Sequence, residues 1–146
     1  GVSVRGVHLP GGAWMNQTRL SASSTKELRQ SLLATGFFGE DEPTLQEQLD
    51  IFGDLVRRTR GIRRPGAAAY DLALVARGVF DGFWERNLKP WDSAAGLLLV
   101  KEAGGDVRTY QGLDYHPFHN SLVSANAHLV SALLERIGPL ISTSAD

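Results

Sequence analysis

The stretch Gly61-Ile-Arg-Arg-Pro-Gly-Ala-Ala-Ala-Tyr-Asp-Leu-Ala-Leu-Val-Ala-Arg-Gly78, running straight into Val79-Phe-Asp-Gly-Phe-Trp-Glu85, decides the fold. Residues 61–65 are a short extended run stopped by the Pro65-Gly66 turn. Residues 67–77 are almost all good or adequate helix formers and apolar nearly all round, with Gly78 placed where a helix stops. Residues 79–85, β-branched and aromatic, read as strand. A strand, a helix and a strand in so few residues predict a layered α/β sheet.

Working outward, Pro90 opens the next helix, because its fixed φ suits a first turn, and Gly104-Gly105 closes it. Residues 106–110 read as strand, 111–120 as loop, 121–124 as buried strand and 127–137 as an amphipathic helix. Upstream, Leu45, Leu49, Phe52, Leu55 and Val56 recur at helical spacing from Thr44 on. Glu47, Asp50, Asp54, Arg57 and Arg58 fall largely elsewhere, and this helix is expected to end near Arg60-Gly61. The acidic residues 39–43 are expected to form an exposed loop. Residues 26–38, with Leu28, Leu32, Leu33 and Phe37, fit helix or strand. A Ser-rich connector occupies 21–25, and residues 1–20 predict short strands with Asn16-Gln17 as a turn.

The 146 residues allow one domain, and 42% apolar with 21% charged residues is the balance of a folded chain. A formal charge of −1 gives no general attraction to nucleic acid or anionic lipid, so neither is an expected partner. With no cysteine there are no disulfides, thiolate metal sites or cysteine nucleophiles, and a cytoplasmic location is expected. No run approaches the length of a membrane span. The chain opens on Gly1 rather than Met and reads as a piece of something longer.

Three acids cluster in sequence. Asp81 precedes Gly82 and reads first as a turn former. Glu85, closing an aromatic strand, is either a rim residue or an acceptor for a polar ligand. Asp92 falls in the first turn of an apolar helix, where a carboxylate caps the helix or ligates a hard divalent cation; spacing alone favours capping. The turn at Gly66-Ala67-Ala68 leads into a helix start whose free N–H groups suit a phosphate or hydroxyl, a property common to helix starts. Asp71 is expected to pair with Arg63, Arg64 or Arg77. His8, His116, His119 and His128 have no ligand spacing, and the Arg57-Arg58 and Arg63-Arg64 pairs read as solvated or salt-bridged.

The 61–78 stretch, Asp81-Gly-Phe-Trp-Glu85, Leu88-Lys-Pro-Trp-Asp-Ser-Ala-Ala-Gly96, Glu102-Ala-Gly-Gly105 and Leu122-Val-Ser-Ala-Asn126 together resemble, in order and spacing, the inositol monophosphatase family. The likeness runs from about Val7 to the end and is strongest from Gly61 to Asn126. It implies a layered α/β/α/β/α sugar-phosphatase fold, of which this chain is the C-terminal portion, with a central sheet flanked by helices. It further implies a Mg²⁺-dependent, lithium-sensitive phosphomonoesterase acting on inositol monophosphate or a similar small polyol phosphate, homodimeric as a whole protein. By the resemblance Asp92 ligates the metal, Glu85 accepts hydrogen bonds from substrate hydroxyls, and Gly66, Ala67 and Ala68 line the substrate. Cations that neutralise phosphate and activate water, with a carboxylate reading the sugar edge, make chemical sense of those roles.

The chain departs from the family in two ways. Many relatives carry Ser or Thr where Ala67 stands, so one hydroxyl contact is missing. The family's glutamate pair and its aspartate-proline-x-aspartate-glycine-threonine motif are absent from the sequence. Residues 1–25 are therefore expected to be strands continuing the sheet of a missing N-terminal domain, and 26–146 the C-terminal substrate-recognition domain. Asp92 alone is not expected to hold Mg²⁺, and the isolated chain is expected to be inactive. Histidinol phosphate, a 3′-phosphoadenosine nucleotide or fructose bisphosphate are alternative substrates, and a non-catalytic binding module is an alternative role. An exposed apolar face, including part of residues 2–14, is expected where a missing half would sit.

Overall fold

The computed structural model describes residues 4–6, 11–39 and 41–141, the first three as backbone only. The expectations for residues 1–3 and 7–10 (His8 among them), for Glu40 and for 142–146 lie outside the described residues. β1 (Val4–Gly6), β2 (Ala13–Met15) and β3 (Thr18–Arg19) form a small antiparallel sheet. Asn16-Gln17 makes the expected turn, with Asn16 at φ 56°, a conformation asparagine tolerates better than most residues.

The larger sheet holds β4 (Leu32–Thr35), β5 (Gly61–Arg63), β6 (Gly82–Arg86), β7 (Gly105–Arg108) and β8 (Ser121–Asn126), in the order β5-β4-β6-β8-β7. β5, β4 and β6 run parallel, and β8 is antiparallel to both β6 and β7. Among the described residues, four helices cover this sheet: α1 (Glu42–Val56), α2 (Ala68–Ala76), α3 (Pro90–Glu102) and α4 (Val130–Ile137).

Strand alternation sends Ala34, Phe83, Val107 and Leu122 to one face, where they pack with Leu72 and Val75 of α2 and Leu99 and Val100 of α3. Leu33, Trp84 and Val123 go to the other face and meet Ile51 and Leu55 of α1 and Leu133 and Ile137 of α4. Ala13 of β2 joins the first cluster, and α3 also lies against β1. α3 is thus enclosed between two sheets, which is why its sequence shows no single apolar stripe. Close approach of α2 and α3 depends on Gly96: a Cβ there would sit 2.5 Å from the Cβ of Leu72. Among the described residues no helix is long and apolar enough to cross a membrane.

Several expectations are corrected. The acidic stretch 39–43 is not simply loop, because the Asp41 carboxylate accepts the Thr44 N–H at 2.8 Å and starts α1 at Glu42, with Pro43 in the first turn. The buried stripe of α1 is Glu47, Gln48, Ile51 and Leu55, while Leu49 and Val56 are exposed. Arg86 draws Glu47 inside as an ion pair, and Gln48 both donates to the Phe38 carbonyl and accepts the Phe38 N–H. Residues 26–38 resolve into a single 3₁₀ turn, Leu28–Gln30, followed by β4. The expected strand at 79–85 starts later and ends one residue further on, at Gly82–Arg86.

Asp81 is no turn former. It is buried, accepts Ser23 Oγ at 2.5 Å and the Leu32 N–H at 2.6 Å, and so ties the connector and β4 to the start of β6. Asn126 completes this staple by donating to Ser23 Oγ and the Thr25 carbonyl.

Candidate active site

The three parallel strands β5, β4 and β6 end along one edge, where the chain passes from β5 into α2 and from β6 into α3. Open α/β sheets collect ligand groups at such an edge because strand carboxyl ends and helix amino ends meet there. Gly66, at φ 85°, turns the chain into α2. Ala67 is the N-cap and offers no side-chain acceptor, so the first N–H groups of α2 receive no side-chain cap. Gly66 and Ala67 are exposed and Ala68 is half-buried.

Glu85 is the penultimate residue of β6 and shares the α2–α3 face with Phe83. It is half-buried and forms no ion pair with a described residue. Burial pushes its carboxyl up to about 7; the charge of Asp71 adds to this, Arg64 opposes it, and Asp92 contributes a smaller push. Asp71, in the first turn of α2, is 1% exposed, and its Oδ1 has no hydrogen-bond partner. Burial raises it to about 6, with Arg64 offsetting only part. The ion pair expected for Asp71 with Arg63, Arg64 or Arg77 does not form. The Arg64 guanidinium instead folds over Gly66, 3.0 Å from where a Cβ would stand, and acts on Asp71 through space.

Asp92 sits in the first turn of α3, half-buried, and its Oδ2 accepts the Lys89 N–H at 2.8 Å. The capping geometry is therefore realised, and one carboxylate oxygen is engaged by it. No group of three or more His, Asp or Glu side chains among the described residues is arranged to hold a metal ion. One partly engaged carboxylate falls short of the ligand set Mg²⁺ takes, so the described residues do not by themselves fit that ion.

Glu85, Asp71, Asp92 and Arg64 share one electrostatic neighbourhood beside the Gly66-Ala67-Ala68 turn. It is an open wall. A surface hollow of about 430 Å³, bordered by Phe38, residues 87–90 and residues 117–120, contains none of the expected substrate or metal residues. His116 and His119 stack on each other in that loop, ring centroids 3.6 Å apart, and His119 Nδ1 accepts the His116 N–H at 3.1 Å.

A model of the inositol monophosphatase family matches residues 4–143. The chain belongs to that family. Among curated relatives of this inositol monophosphatase-family chain, the chloroplastic phosphatase IMPL1 of Arabidopsis thaliana is 41% identical over 129 residues, covering 88% of this chain and 35% of the relative. The Nus factor SuhB of Pseudomonas aeruginosa is 44% identical over 135 residues, covering 91% and 50%. The solved inositol monophosphatase from Anabaena superposes with a TM-score of 0.89 at 35% identity, over 98% of this chain and 59% of that one. The chain thus spans half or less of these curated relatives' length.

Two residues that bear on Glu85 are given no site role by the sequence. Asp71 carries a usable signal, an acid inside an otherwise apolar helix, but the arginine ion pair its neighbours suggest does not form. Gly36, directly after β4, carried none: only the fold shows that a Cβ there would overlap the carboxyl carbon and both oxygens of Glu85.

Proposed function

We propose that this chain is the substrate-recognition part of a Mg²⁺-dependent phosphomonoesterase acting on inositol monophosphate or a similar small polyol phosphate. The observation that carries the reading is Glu85: a half-buried carboxyl, raised to about 7, without an ion pair among the described residues, within the electrostatic reach of first-turn acids of α2 and α3 at the carboxyl edge of parallel strands. Near neutrality such a carboxyl both accepts from and donates to ligand hydroxyls, which suits a polyol and disfavours a second phosphate at that spot. The N–H groups of Gly66 and Ala67 in the turn and of Ala68 at the start of α2 receive oxygen atoms of the same ligand, and the missing hydroxyl at Ala67 leaves this to the backbone. Asp92 would hold such an ion only together with further ligands from an N-terminal domain whose sheet β1–β3 would continue. Tyr70 and Trp91, both exposed, belong to the apolar surface such a domain or a second copy covers.

The test is phosphate release from inositol 1-phosphate with and without Mg²⁺, by this chain and by the whole protein, with histidinol phosphate, a 3′-phosphoadenosine nucleotide and fructose bisphosphate as competitors. The expected result is no turnover by the chain alone, Mg²⁺-dependent turnover by the whole protein, and its loss by a factor of roughly 10² or more in Asp92→Asn. Unchanged Mg²⁺ dependence in Asp92→Asn overturns the metal role. Relatives named as Nus factors support a second reading, a non-catalytic assembly role. A whole protein that releases no phosphate from any of these esters favours it.

A further inference from the structure

The end of β4 is held in place from several sides. Thr35 pairs with Trp84 in the β4–β6 register, and its Oγ1 donates to the Trp84 carbonyl at 2.8 Å. Two residues beyond Gly36, the Gln48 amide grips Phe38, accepting its N–H at 2.7 Å and donating to its carbonyl at 2.6 Å. Gly36 therefore sits on a fixed stretch of backbone, one residue past the Thr35–Trp84 pair, against the residue that follows Trp84. Its φ is not in the left-handed region, so the backbone conformation does not call for glycine. What does call for it is contact: the Glu85 carboxyl lies where the side chain of any other residue would begin.

We propose that Gly36 is a positioning residue for ligand recognition, its bare Cα forming the seat that aims the Glu85 carboxyl and so selects which hydroxyl arrangement the wall accepts. This rests on the reading of Glu85 as a ligand-hydroxyl group. The groups around the seat agree with a need for it. Asp71 and Asp92 repel the Glu85 carboxylate and Arg64 attracts it, so without a steric seat the side chain would be drawn towards the arginine. Because the obstructing atoms are the free end of a long side chain, an added methyl displaces Glu85 rather than the fold.

Gly36→Ala in the whole protein tests this. The denaturation midpoint stays near that of the unmodified protein, and KM for inositol 1-phosphate rises roughly ten- to hundredfold, the size of a lost hydrogen bond to a charged group, with kcat changed much less. Glu85→Gln and Gly36→Ala combined lose no more than the worse of the two alone. Glu85→Asp, whose shorter side chain frees the space, restores part of the KM lost in Gly36→Ala. A merely structural glycine shows none of this coupling. An unchanged KM, or losses that add, overturns the proposal. The seat is also read without turnover, from the carboxyl ¹³C resonance of Glu85 at fixed pH, identified by its disappearance in Glu85→Gln. Gly36→Ala shifts that resonance if the seat exists and leaves it in place if it does not. A shifted resonance in a protein that hydrolyses nothing sinks the phosphatase reading and leaves the seat standing.

Discussion

Glu85 and Arg86 are neighbours on β6, and strand geometry sends them to opposite faces of the sheet. Arg86, towards α1 and α4, is 2% exposed, ion-paired with Glu47 and stacked 4.9 Å above the centre of the Tyr110 ring. Glu85, towards α2 and α3, meets two more acids and no ion-pair partner among the described residues. One residue apart, the same strand end carries a matched charge and a mismatched one. Matched buried charge is what a fold requires to tolerate polar groups in its interior. A mismatched carboxyl costs the fold stability, and such costs gather where a ligand supplies the missing partner. Asp81 strengthens the contrast, since that acid too is buried on β6's approach yet fully used by Ser23 and Leu32.

The sharpest way to break the comparison is on the matched side. Arg86→Met leaves Glu47 buried without its cation and costs about 3–5 kcal/mol of stability, measured by denaturant unfolding. Replacing Glu47 by Met as well recovers most of that loss, because two apolar groups need no partner. If Arg86→Met is nearly neutral, the pair is not holding α1 to the sheet and the two faces are not different in kind.

How far all this was legible in the sequence depends on whether the deciding partner was near in the chain. Pro90, Gly104 and the Asn16-Gln17 turn act on their own neighbours, and the α3 start and the β2–β3 hairpin stand where the sequence puts them. Family motifs single out Glu85 and the Gly66 turn, which the fold brings to the same sheet edge. Three features were hidden because their partners are far away. Glu47 looked like a solvent residue of α1 until Arg86, 39 positions on, drew it inside. Asp81 looked like a turn until Ser23, 58 positions back, donated to it. Gly36 has no reason at all in its local sequence; its reason is Glu85. Asp41 was closer to readable, since an aspartate two residues before a proline in an apolar-periodic run is an N-cap signal.

On the mismatched side the expected effects are smaller and of opposite sign. Asp71 is raised to about 6 from an ordinary 3.8, so between those values the folded chain holds a proton that the unfolded chain has released. Stability from this group is full below pH 4, declines as pH rises through 6, and stays lower above. Asp71→Asn removes that decline: it stabilises the chain by about 1–2 kcal/mol at pH 8 and brings no gain at pH 4, read from unfolding free energies at the two values. A variant that is equally affected at both values means Asp71 has a partner in solution.

The smallest effect is expected at Glu85. Its carboxyl is raised to about 7 by burial first, and removing the charge relieves that cost above pH 7. The gain is discounted because the group is only half-buried and water screens part of it. Against it stands the amide NH₂ of a glutamine, a donor that needs acceptors where an ionised carboxylate needed none. The two nearly cancel, so Glu85→Gln shifts stability at pH 7 by less than about 1 kcal/mol in either direction. The same unfolding measurement that registers Arg86→Met thus sees almost nothing one residue earlier. A loss at Glu85→Gln comparable to that of Arg86→Met would mean the carboxylate serves the fold, and the reading of one strand end as half scaffold and half recognition wall fails with it.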